Sequence, residues 1–261
     1  MKNFNFKSAS NTKEAAKLVS GRATFLAGGM SLLPAIKLRL AAYSDLINIK
    51  KIKTLSGIKV SSKSLRIGAT TTHSEVSSSK EVEKSISSIA QLAEGIGDPQ
   101  VRNRGTIGGS VANNDPAADY PSACLALNAI IHTNKRKIPA EKFFKGMFET
   151  DLKKGELIES IEFEVPEKSA YAKYPNPASR YAVVGVYVAK SKNGVRVAVT
   201  GASSSVFRSK ELESALSNNF SPSAIDNVSI SNKGLNSDIH ASAEYRAHMI
   251  KVMARKAVSS C

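Results

Sequence analysis

The pattern of apolar and polar positions predicts alternating short strands and helices over the first part of the chain. NTKEAAKLVS predicts a short helix with Asn11 or Thr12 as its N-cap. RATFLAGG predicts a strand that runs into a glycine pair, and SLLPAIKLRL then predicts a helix. Ser31 can cap this helix, and Pro34 fits its first turn, where a missing N–H costs nothing. DLINI and SLRIGATTT are strand-like, so this part of the chain predicts a mixed α/β fold.

The middle of the chain has one longer helical pattern and two mixed segments. From Lys84 onward, apolar residues recur with the helical period at Ile86, Ile89, Ala90, Ala93 and Ile96. PSACLALNAII predicts a short helix that passes into a strand. KGELIESIEFEVP predicts a strand that ends at Pro166.

The last part of the chain predicts an antiparallel sheet with helices. YAVVGVYVAKS and GVRVAVTGAS are two β-rich runs joined by Lys-Asn-Gly, and Asn-Gly between such runs is a strong hairpin signal. ASAEYRAHMIKVMARKAVSS predicts a helix with Tyr245, Met249, Val252 and Lys256 along one stripe. We interpret KSAYAKYPNP as the junction, which predicts one domain over 1–168, with subdomains of about 1–52 and 53–168, and a second over 169–261.

Composition restricts the class of protein. The 261 residues are 42% hydrophobic, which is enough for a substantial core. No apolar run approaches the roughly 20 residues of a membrane span, and MKNFNFKSAS lacks the apolar stretch of a signal peptide, so we expect a cytoplasmic protein without a membrane span. Cys124 and Cys261 cannot bind an iron–sulfur cluster of the four-thiolate kind. We therefore expect no metal ligands in this chain and place any metal centre in another one.

The net charge of +15 raises the alternative of a nucleic-acid-binding protein. The basic residues are spread along the chain, without interleaved aromatics and without a helix-turn-helix, zinc-finger or RNP pattern. This distribution favours a solvated basic surface and no nucleic-acid partner. An acidic partner subunit or an anionic ligand could also use the positive charge.

The first candidate binding stretch is LAGGMSLLP, residues 26–34. A strand, a glycine pair and a helix start direct several backbone N–H groups and the positive end of a helix dipole toward one point. This arrangement suits a phosphate or pyrophosphate. The stretch has neither the G-x-G-x-x-G of a Rossmann fold nor the G-K-[ST] of a P-loop, so alone it is a weak signal.

The second candidate stretch is TIGGSVANNDPAADYP, residues 106–121, which is too rich in turn formers to predict a plain strand or helix. Its glycines allow close approach of a ligand, and its hydroxyl and amide side chains can bind an anion or a hydroxyl group. Asp119 either caps the following helix or accepts from a ribose-type hydroxyl. Two such stretches together predict a bipartite site for a long ligand that carries phosphate.

Four segments, in this order along the chain, resemble one known family: LAGGMSLLP, DPQVRNRGTIGGSVANNDPAADYPSA, KYPNPASRYAVVGV and ASAEYRAHMIKVMARKAV. They are similar to the FAD-binding (medium) subunit of the molybdenum hydroxylases, particularly of the aerobic carbon monoxide dehydrogenase type and more distantly of the xanthine dehydrogenase type. The resemblance implies an α+β (α/β) protein. Residues 1–168 would form a two-subdomain FAD-binding fold of the PCMH/vanillyl-alcohol-oxidase type. Residues 169–261 would form a CO-dehydrogenase-flavoprotein-like domain, a three-stranded antiparallel sheet with helices.

The resemblance also implies the residues that bind FAD. The backbone of residues 25–32 would surround the pyrophosphate, Ile158 would pack on the isoalloxazine, and Tyr181 would shield one face. Lys173 would lie near the ring system, where a cation favours the negatively charged reduced flavin and raises its potential. The implied cofactor-binding residues are Phe25, Leu26, Ala27, Gly28, Gly29, Met30, Ser31, Leu32, Ile96, Thr106, Gly108, Gly109, Ser110, Asn113, Asp115, Asp119, Ile158, Lys173 and Tyr181. Met30 replaces a polar residue, His or Gln, that is common in the family.

The implied activity is electron transfer within a larger oxidoreductase. A molybdopterin-binding large subunit would oxidise the substrate, a small subunit would relay electrons through [2Fe–2S] clusters, and FAD on this chain would pass them to an external acceptor. A dimer of heterotrimers is the expected assembly, and we expect no residue of this chain to act on the organic substrate. Two alternatives stay open: a stand-alone FAD-dependent reductase with the same flavin fold, such as the peptidoglycan-precursor reductase type, and the nucleic-acid-binding protein.

Overall fold

The computed structural model describes residues 2–261, and its N-terminal part forms a three-stranded parallel sheet in the order β1–β3–β2. Its elements are β1 (Asn5–Ser8), α1 (Thr12–Leu18), β2 (Ala23–Leu26), α2 (Leu32–Lys37) and β3 (Asp45–Asn48). Asn11 caps α1 as predicted, because its side chain accepts from the N–H of Glu14 at 2.9 Å. The predicted cap by Ser31 is wrong. Its φ of −105° and ψ of −47° are helical rather than extended, and its side chain accepts no capping hydrogen bond.

The middle of the chain forms a five-stranded antiparallel sheet in the order β4–β5–β10–β6–β7. Its strands are β4 (Ile58–Val60), β5 (Ser64–Gly68), β6 (Ile130–Thr133), β7 (Lys137–Pro139) and β10 (Ile158–Glu164), with a separate small hairpin of β8 (Phe144–Gly146) and β9 (Glu149–Thr150). The helices are α3 (His73–Ser78), α4 (Lys80–Glu94), α5 (Pro99–Arg104), α6 (Ile107–Asn113), α7 (Tyr120–Ala126) and α8 (Ala140–Phe143). The predicted passage of PSACLALNAII from a helix into a strand is confirmed by α7 and β6.

The stretch 106–121 is not one plain strand or helix, but it contains helix α6, which begins at its second residue and was not predicted. The hydroxyl of Thr106 caps α6 by accepting from the N–H of Gly109 at 3.1 Å. Gly108 lets α6 lie against β5, since a Cβ there would be 2.5 Å from the Cβ of Ala69. Asn114 ends the helix in a left-handed conformation with φ 44°. Capping and close packing therefore outweigh the low helix propensity of these residues.

The C-terminal part forms an antiparallel sheet in the order β11–β12–β13–β14. Its elements are β11 (Lys168–Pro175), β12 (Ala182–Ser191), β13 (Gly194–Thr200), β14 (Phe207–Arg208), α9 (Lys210–Asn218) and α10 (Ala243–Ser259). The three long strands and the Asn-Gly hairpin are as predicted, and the two-residue β14 adds a short edge. The first eight residues of the segment KSAYAKYPNP form strand β11. The domain ranges 1–168 and 169–261 stay a prediction.

Helix α10 packs on β11 and β12 through a different stripe from the one that the sequence predicts. Tyr245 and Val252 are exposed, although Met249 is buried as expected. The buried positions are Arg246, Ala247, Met249, Ile250, Met253, Ala254, Ala257 and Val258. The predicted stripe is wrong at Tyr245 and Val252, because alanines and one arginine form the buried face together with Met249, Ile250 and Met253.

Three hydrophobic clusters fill the interior, and that of the middle sheet also includes Tyr187, Ala189 and Ala198 from β12 and β13. Cys124 is fully buried in the cluster of the middle sheet, as its apolar neighbourhood predicts. Within residues 2–261, no helix has both the length and the apolar character needed to cross a bilayer.

Candidate functional site

The first glycine turn presents a run of unbonded backbone amides. It begins where β2 ends, and Gly28 and Gly29 are buried, with a φ of +79° at Gly29. Among the hydrogen bonds of residues 2–261, none uses an N–H of residues 27–32 as its donor. Regular helical bonding resumes only where the N–H of Leu33 donates to the carbonyl of Gly29 at 3.0 Å. Six consecutive N–H groups at the start of α2 can therefore bind an anion.

The two glycine stretches lie against each other. A Cβ on Gly28 would overlap the carbonyl oxygen of Arg104 and come within 2.8 Å of the Cα of Gly105. A Cβ built on Gly109 would lie 4.0 Å from the Cβ of Ala27. Glycine at position 28 therefore lets the first turn pack directly on the backbone that leads into the second.

The second stretch differs from the first in what it can offer a ligand. The N–H groups of residues 107–110 are all bonded within the protein: Ile107 to Thr71, Gly108 to Ala69, and Gly109 and Ser110 to Thr106. The side chains of Ser110 and Asn113 are half-buried and have no hydrogen-bond partner within residues 2–261. The first turn can therefore supply backbone donors, whereas the second can supply a hydroxyl and an amide.

The adjacent asparagines have different roles. Asn114 is buried, and its amide donates to the carbonyls of Gly146 and Glu149 at 2.7 and 2.8 Å, which fixes the β8–β9 hairpin. The side chain of Asn113 forms no hydrogen bond within residues 2–261 and is available to a ligand. Asp115 accepts from the N–H of Ala117 at 2.9 Å, and burial raises the pKa of its carboxyl.

Asp119 forms a buried cluster with Lys173 and Tyr171. Of the two alternatives for Asp119, capping of α7 is wrong, since its side chain accepts no capping hydrogen bond. Its carboxylate accepts from the Tyr171 hydroxyl and lies 3.1 Å from the Lys173 ammonium, with the two charged side chains 5% and 10% exposed. Lys173 also donates to the carbonyl of Gly95 at 2.8 Å. Burial raises the pKa of Asp119, and the Lys173 ammonium opposes this rise.

Tyr171 is a member of this cluster that the sequence reasoning missed. Tyr171 and Lys173 are two residues apart on β11, so both point to the same face of the sheet. Ala170 and Ala172 alternate with them and are buried in the hydrophobic cluster on the opposite face. The period-two pattern in SAYAKY could have identified Tyr171 if KSAYAKYPNP had been interpreted as a strand.

The turn 95–97 collects three cationic side chains. Arg102 donates to the carbonyls of Ile96 and Gly97 at 3.1 and 2.9 Å, and Arg180 donates to the carbonyl of Gly97 at 3.2 Å. Lys173 donates to the carbonyl of Gly95, so the carbonyl oxygens of this turn bind all three cations. Ile96 itself is half-buried. The turn is therefore a positively charged edge beside a partly exposed apolar side chain.

The chain around Tyr181 connects β12 to the second glycine stretch. The N–H of Ala182 donates to the carbonyl of Ala117 at 3.2 Å. Tyr181 remains partly exposed, and its burial, followed by the Asp115 carboxylate, raises the pKa of its hydroxyl. Tyr181 therefore lies beside the same stretch as Asp115, at an accessible edge.

Ile158 and Met30 are two further predicted cofactor-binding residues. Ile158 is buried in the hydrophobic cluster against which Ile96 and Tyr171 also pack. Met30 is exposed in the first glycine turn. The thioether of Met30 cannot replace the polar contact of a His or Gln side chain. The backbone N–H of Met30 is nevertheless one of the six unbonded N–H groups of residues 27–32.

These features together fit a dinucleotide cofactor. The run of amides matches a diphosphate, and two half-buried polar side chains lie nearby for hydroxyl groups. The apolar side chain of Ile96, the partly exposed ring of Tyr181 and the three cations on turn 95–97 suit a flat ring system that gains negative charge on reduction. The arrangement can bind and tune such a cofactor.

Comparison with known proteins gives the same family as the motifs. Residues 2–167 match the family model described as the FAD-binding domain in molybdopterin dehydrogenase. The glyceraldehyde dehydrogenase medium chain of Sulfolobus acidocaldarius is 33% identical, covering 97% of this chain and 96% of the relative. The carbon monoxide dehydrogenase medium chain of Hydrogenophaga pseudoflava is 33% identical, covering 91% of this chain and 88% of the relative.

The fold is confirmed by solved structures. A chain of the carbon monoxide dehydrogenase from Hydrogenophaga pseudoflava superimposes with a TM-score of 0.88 at 31% identity, covering 99% of this chain and 96% of that one. The resemblance to the molybdenum hydroxylase flavoproteins and the prediction of FAD as cofactor are thereby confirmed. The protein belongs to the FAD-binding domain family of molybdopterin dehydrogenases and is an oxidoreductase subunit of the carbon monoxide and xanthine dehydrogenase type.

Proposed function

We propose that this chain is the electron-transfer subunit of a molybdenum hydroxylase, with FAD bound across its two glycine stretches. The run of six unbonded N–H groups at residues 27–32, packed against residues 104–109, is the observation that carries the proposal. In the proposed complex, these amides bind the diphosphate of FAD, while Ser110 and Asn113 bind neighbouring hydroxyl groups of the cofactor. Ile96, Ile158, Lys173 and Tyr181 line the flavin ring.

When bound, FAD supplies the ability to accept electrons one at a time and release them in pairs. The chain's own residues bind the cofactor, orient it and polarise its ring. The buried glycine pair keeps the diphosphate close to the backbone. The cations on turn 95–97 favour negative charge on the ring, and the partly exposed Tyr181 leaves one edge accessible to an acceptor.

We further propose that a [2Fe–2S] small subunit and a molybdopterin-binding large subunit complete the complex, as a dimer of heterotrimers in the cytoplasm with an external electron acceptor. The relatives' names support separate partner chains, since two of them are medium chains of dehydrogenases. Of the two cysteines, Cys124 is buried in the core, which supports placing the clusters elsewhere. The charge of +15 suits association with acidic partners.

An FAD titration of the purified chain tests the site, with Gly28→Ala as the disruptive variant. A methyl group at position 28 overlaps a backbone carbonyl and forces the two stretches apart. We expect the Kd for FAD to rise at least tenfold, about 1.4 kcal/mol. Gly146→Ala is the matched control, because its new Cβ would lie 3.6 Å from the nearest atom, and it should bind FAD normally. A wild-type chain that binds no FAD in this titration contradicts the proposal.

Activity assays separate this function from the alternatives. The isolated, FAD-loaded chain should show at most weak diaphorase activity and no turnover of hydroxylation substrates. Co-expression with the two partner subunits should yield a stable complex that transfers electrons to an acceptor. Turnover of a substrate by the isolated chain would instead identify a stand-alone reductase.

A further inference from the structure

We propose that the N-terminal part of the chain binds an acidic segment of a partner subunit. The binding surface, called the basic edge, consists of strand β1 and an open cleft of about 470 Å³ that is lined by residues 8–11 and 51–54. None of these residues belongs to the predicted cofactor-binding set. The inference rests on the proposed function, since it requires the chain to be one subunit of a complex.

The positive charge of the chain is concentrated in its N-terminal part. Residues 1–55 contain ten Lys or Arg residues and two carboxylates, so their net charge of +8 is more than half of the +15 of the whole chain. Asp45 pairs with Lys7 at 2.6 Å, and Glu14 accepts from the N–H and the hydroxyl of Ser10. Within residues 2–261, no other cation of this part forms an ion pair. The chain itself therefore leaves most of this charge unneutralised.

Two of these cations line the cleft at the C-terminal end of β1. Lys51 and Lys53 are both exposed, and in the described part of the chain neither ammonium forms a hydrogen bond or an ion pair. The cleft is also lined by the hydroxyl and amide side chains of Ser8, Ser10 and Asn11. A carboxylate of a partner can therefore approach both lysines without breaking a contact of this chain.

Strand β1 can hold an extended polypeptide. It pairs with β3 alone, so its other edge is open among the strands of residues 2–261. All four of its residues are exposed, and Phe6 is 59% exposed. The N–H and C=O groups of an open edge can pair with a further strand, whereas phosphates of a nucleic acid cannot donate to the C=O groups. A second copy of this chain does not fit, because its β1 carries the same positive charge, so an acidic polypeptide is the occupant that both features favour.

The basic edge is separate from the glycine turn that binds FAD in the proposed function. The order β1–β3–β2 places β3 between β1 and the strand that carries the turn. Two strand spacings amount to about 10 Å, which exceeds the screening length of about 8 Å at physiological ionic strength. The lining of the cleft also includes no residue of the turn. Charge changes on the basic edge should therefore alter the Kd for FAD by less than about threefold.

Binding of the FAD-loaded chain to an immobilised complex of its small and large partner subunits tests the inference. Lys51→Glu/Lys53→Glu should raise the Kd for this complex at least about tenfold, because attraction becomes repulsion. Wild-type binding should weaken from about 0.05 to about 0.5 M NaCl, and the reversed variant should lose most of this salt dependence. Phe6→Ser should also weaken binding. The matched control is Lys192→Glu/Lys233→Glu, which changes the net charge equally at two exposed C-terminal positions and should bind like the wild type.

An FAD titration and a gel shift with duplex DNA, applied to each variant, separate the outcomes. Equal binding of the partner complex by the wild type and Lys51→Glu/Lys53→Glu would overturn the inference, and so would equal losses in this variant and its control. Loss of DNA binding on charge reversal, with partner binding unchanged, would assign the basic edge to a nucleic acid and overturn it too. Failure of the wild-type chain to bind FAD would instead contradict the proposed function. If the reversed variant does not fold, Lys51→Gln/Lys53→Gln decides, since wild-type affinity in that variant would contradict a role of the two charges.

Discussion

His73 is a buried residue beside the second glycine stretch, and its ionisation couples the stability of this region to pH. Its N–H donates to the carbonyl of Gly105 at 3.0 Å, and its ring lies 5.4 Å from that of Tyr120. Its Nδ1 is buried without a hydrogen-bond partner in the described part of the chain. Burial, and secondarily the charge of Arg102, lowers the pKa of His73 to about 4 from 6.5. Protonation in the folded state is therefore unfavourable.

The lowered pKa predicts an acid-dependent loss of stability. Well above pH 6.5 His73 is neutral in both states, so it adds no pH dependence to the free energy of unfolding there. As pH falls from 6.5 to 4, the unfolded chain binds a proton that the folded chain excludes, and the free energy of unfolding falls by up to about 3 kcal/mol. Urea denaturation across this range should show a shallower pH dependence for His73→Gln. Parallel curves for the two proteins would contradict the prediction.

Single residues also show what the sequence could reveal about the site. Gly28 and Gly29 were predictable, because a strand, a glycine pair and a helix start form a local pattern. The pairing of Asp119 with Lys173 was not predictable from the residues, since it joins positions far apart in sequence through the packing of β11 beside α4. The different roles of Asn113 and Asn114 likewise depend on a hairpin more than 30 residues further along the chain.

Among the elements, the strands and most helices followed from local pattern, and the exceptions have physical reasons. Helix α6 was not predicted because its residues have low helix propensity. The Thr106 cap and the close contact of Gly108 with Ala69 compensate for this in the folded chain. Helix α10 was predicted, but its buried face was not. The buried face includes Arg246, whose guanidinium donates to the carbonyls of Val183 and Gly201 at 2.5 and 2.9 Å. An arginine that satisfies carbonyls at a sheet end cannot be identified by hydropathy.

Arg246 predicts how strongly α10 depends on these bonds. Arg246→Met should lower the free energy of unfolding by about 3 kcal/mol, because two buried carbonyls lose their donor and the partner Asp238 loses its cation. Arg255→Met on the same helix is the matched control. Arg255 is exposed, so losing its pair with Asp226 should cost about 1 kcal/mol or less. Denaturant unfolding measures both, and equal losses would contradict a special role of Arg246.

At the scale of the whole molecule, the candidate site lies where the three sheets come together. The first glycine turn follows the N-terminal sheet, the second stretch packs on the middle sheet, and Lys173 and Tyr181 come from the C-terminal one. The hydrophobic cluster of the middle sheet includes Tyr187, Ala189 and Ala198 of the C-terminal sheet, so these two sheets share a core. A sequence motif identifies each part, but only the folded chain shows that they meet. A cofactor bound here would contact residues that come from all three sheets.

This arrangement predicts that FAD stabilises the entire chain and that its diphosphate is essential for the effect. At a concentration 100 times its Kd, a ligand adds about 2.7 kcal/mol to the free energy of unfolding. For a chain of this size that corresponds to a rise in Tm of about 5–10 °C. Riboflavin lacks the diphosphate that the amides of residues 27–32 would bind, so at equal concentration it should shift the Tm by less than about 1 °C. Differential scanning calorimetry measures both shifts, with Gly28→Ala as a variant in which the FAD shift is lost. A riboflavin shift as large as that of FAD would show that the ring, rather than the amide run, supplies most of the binding free energy.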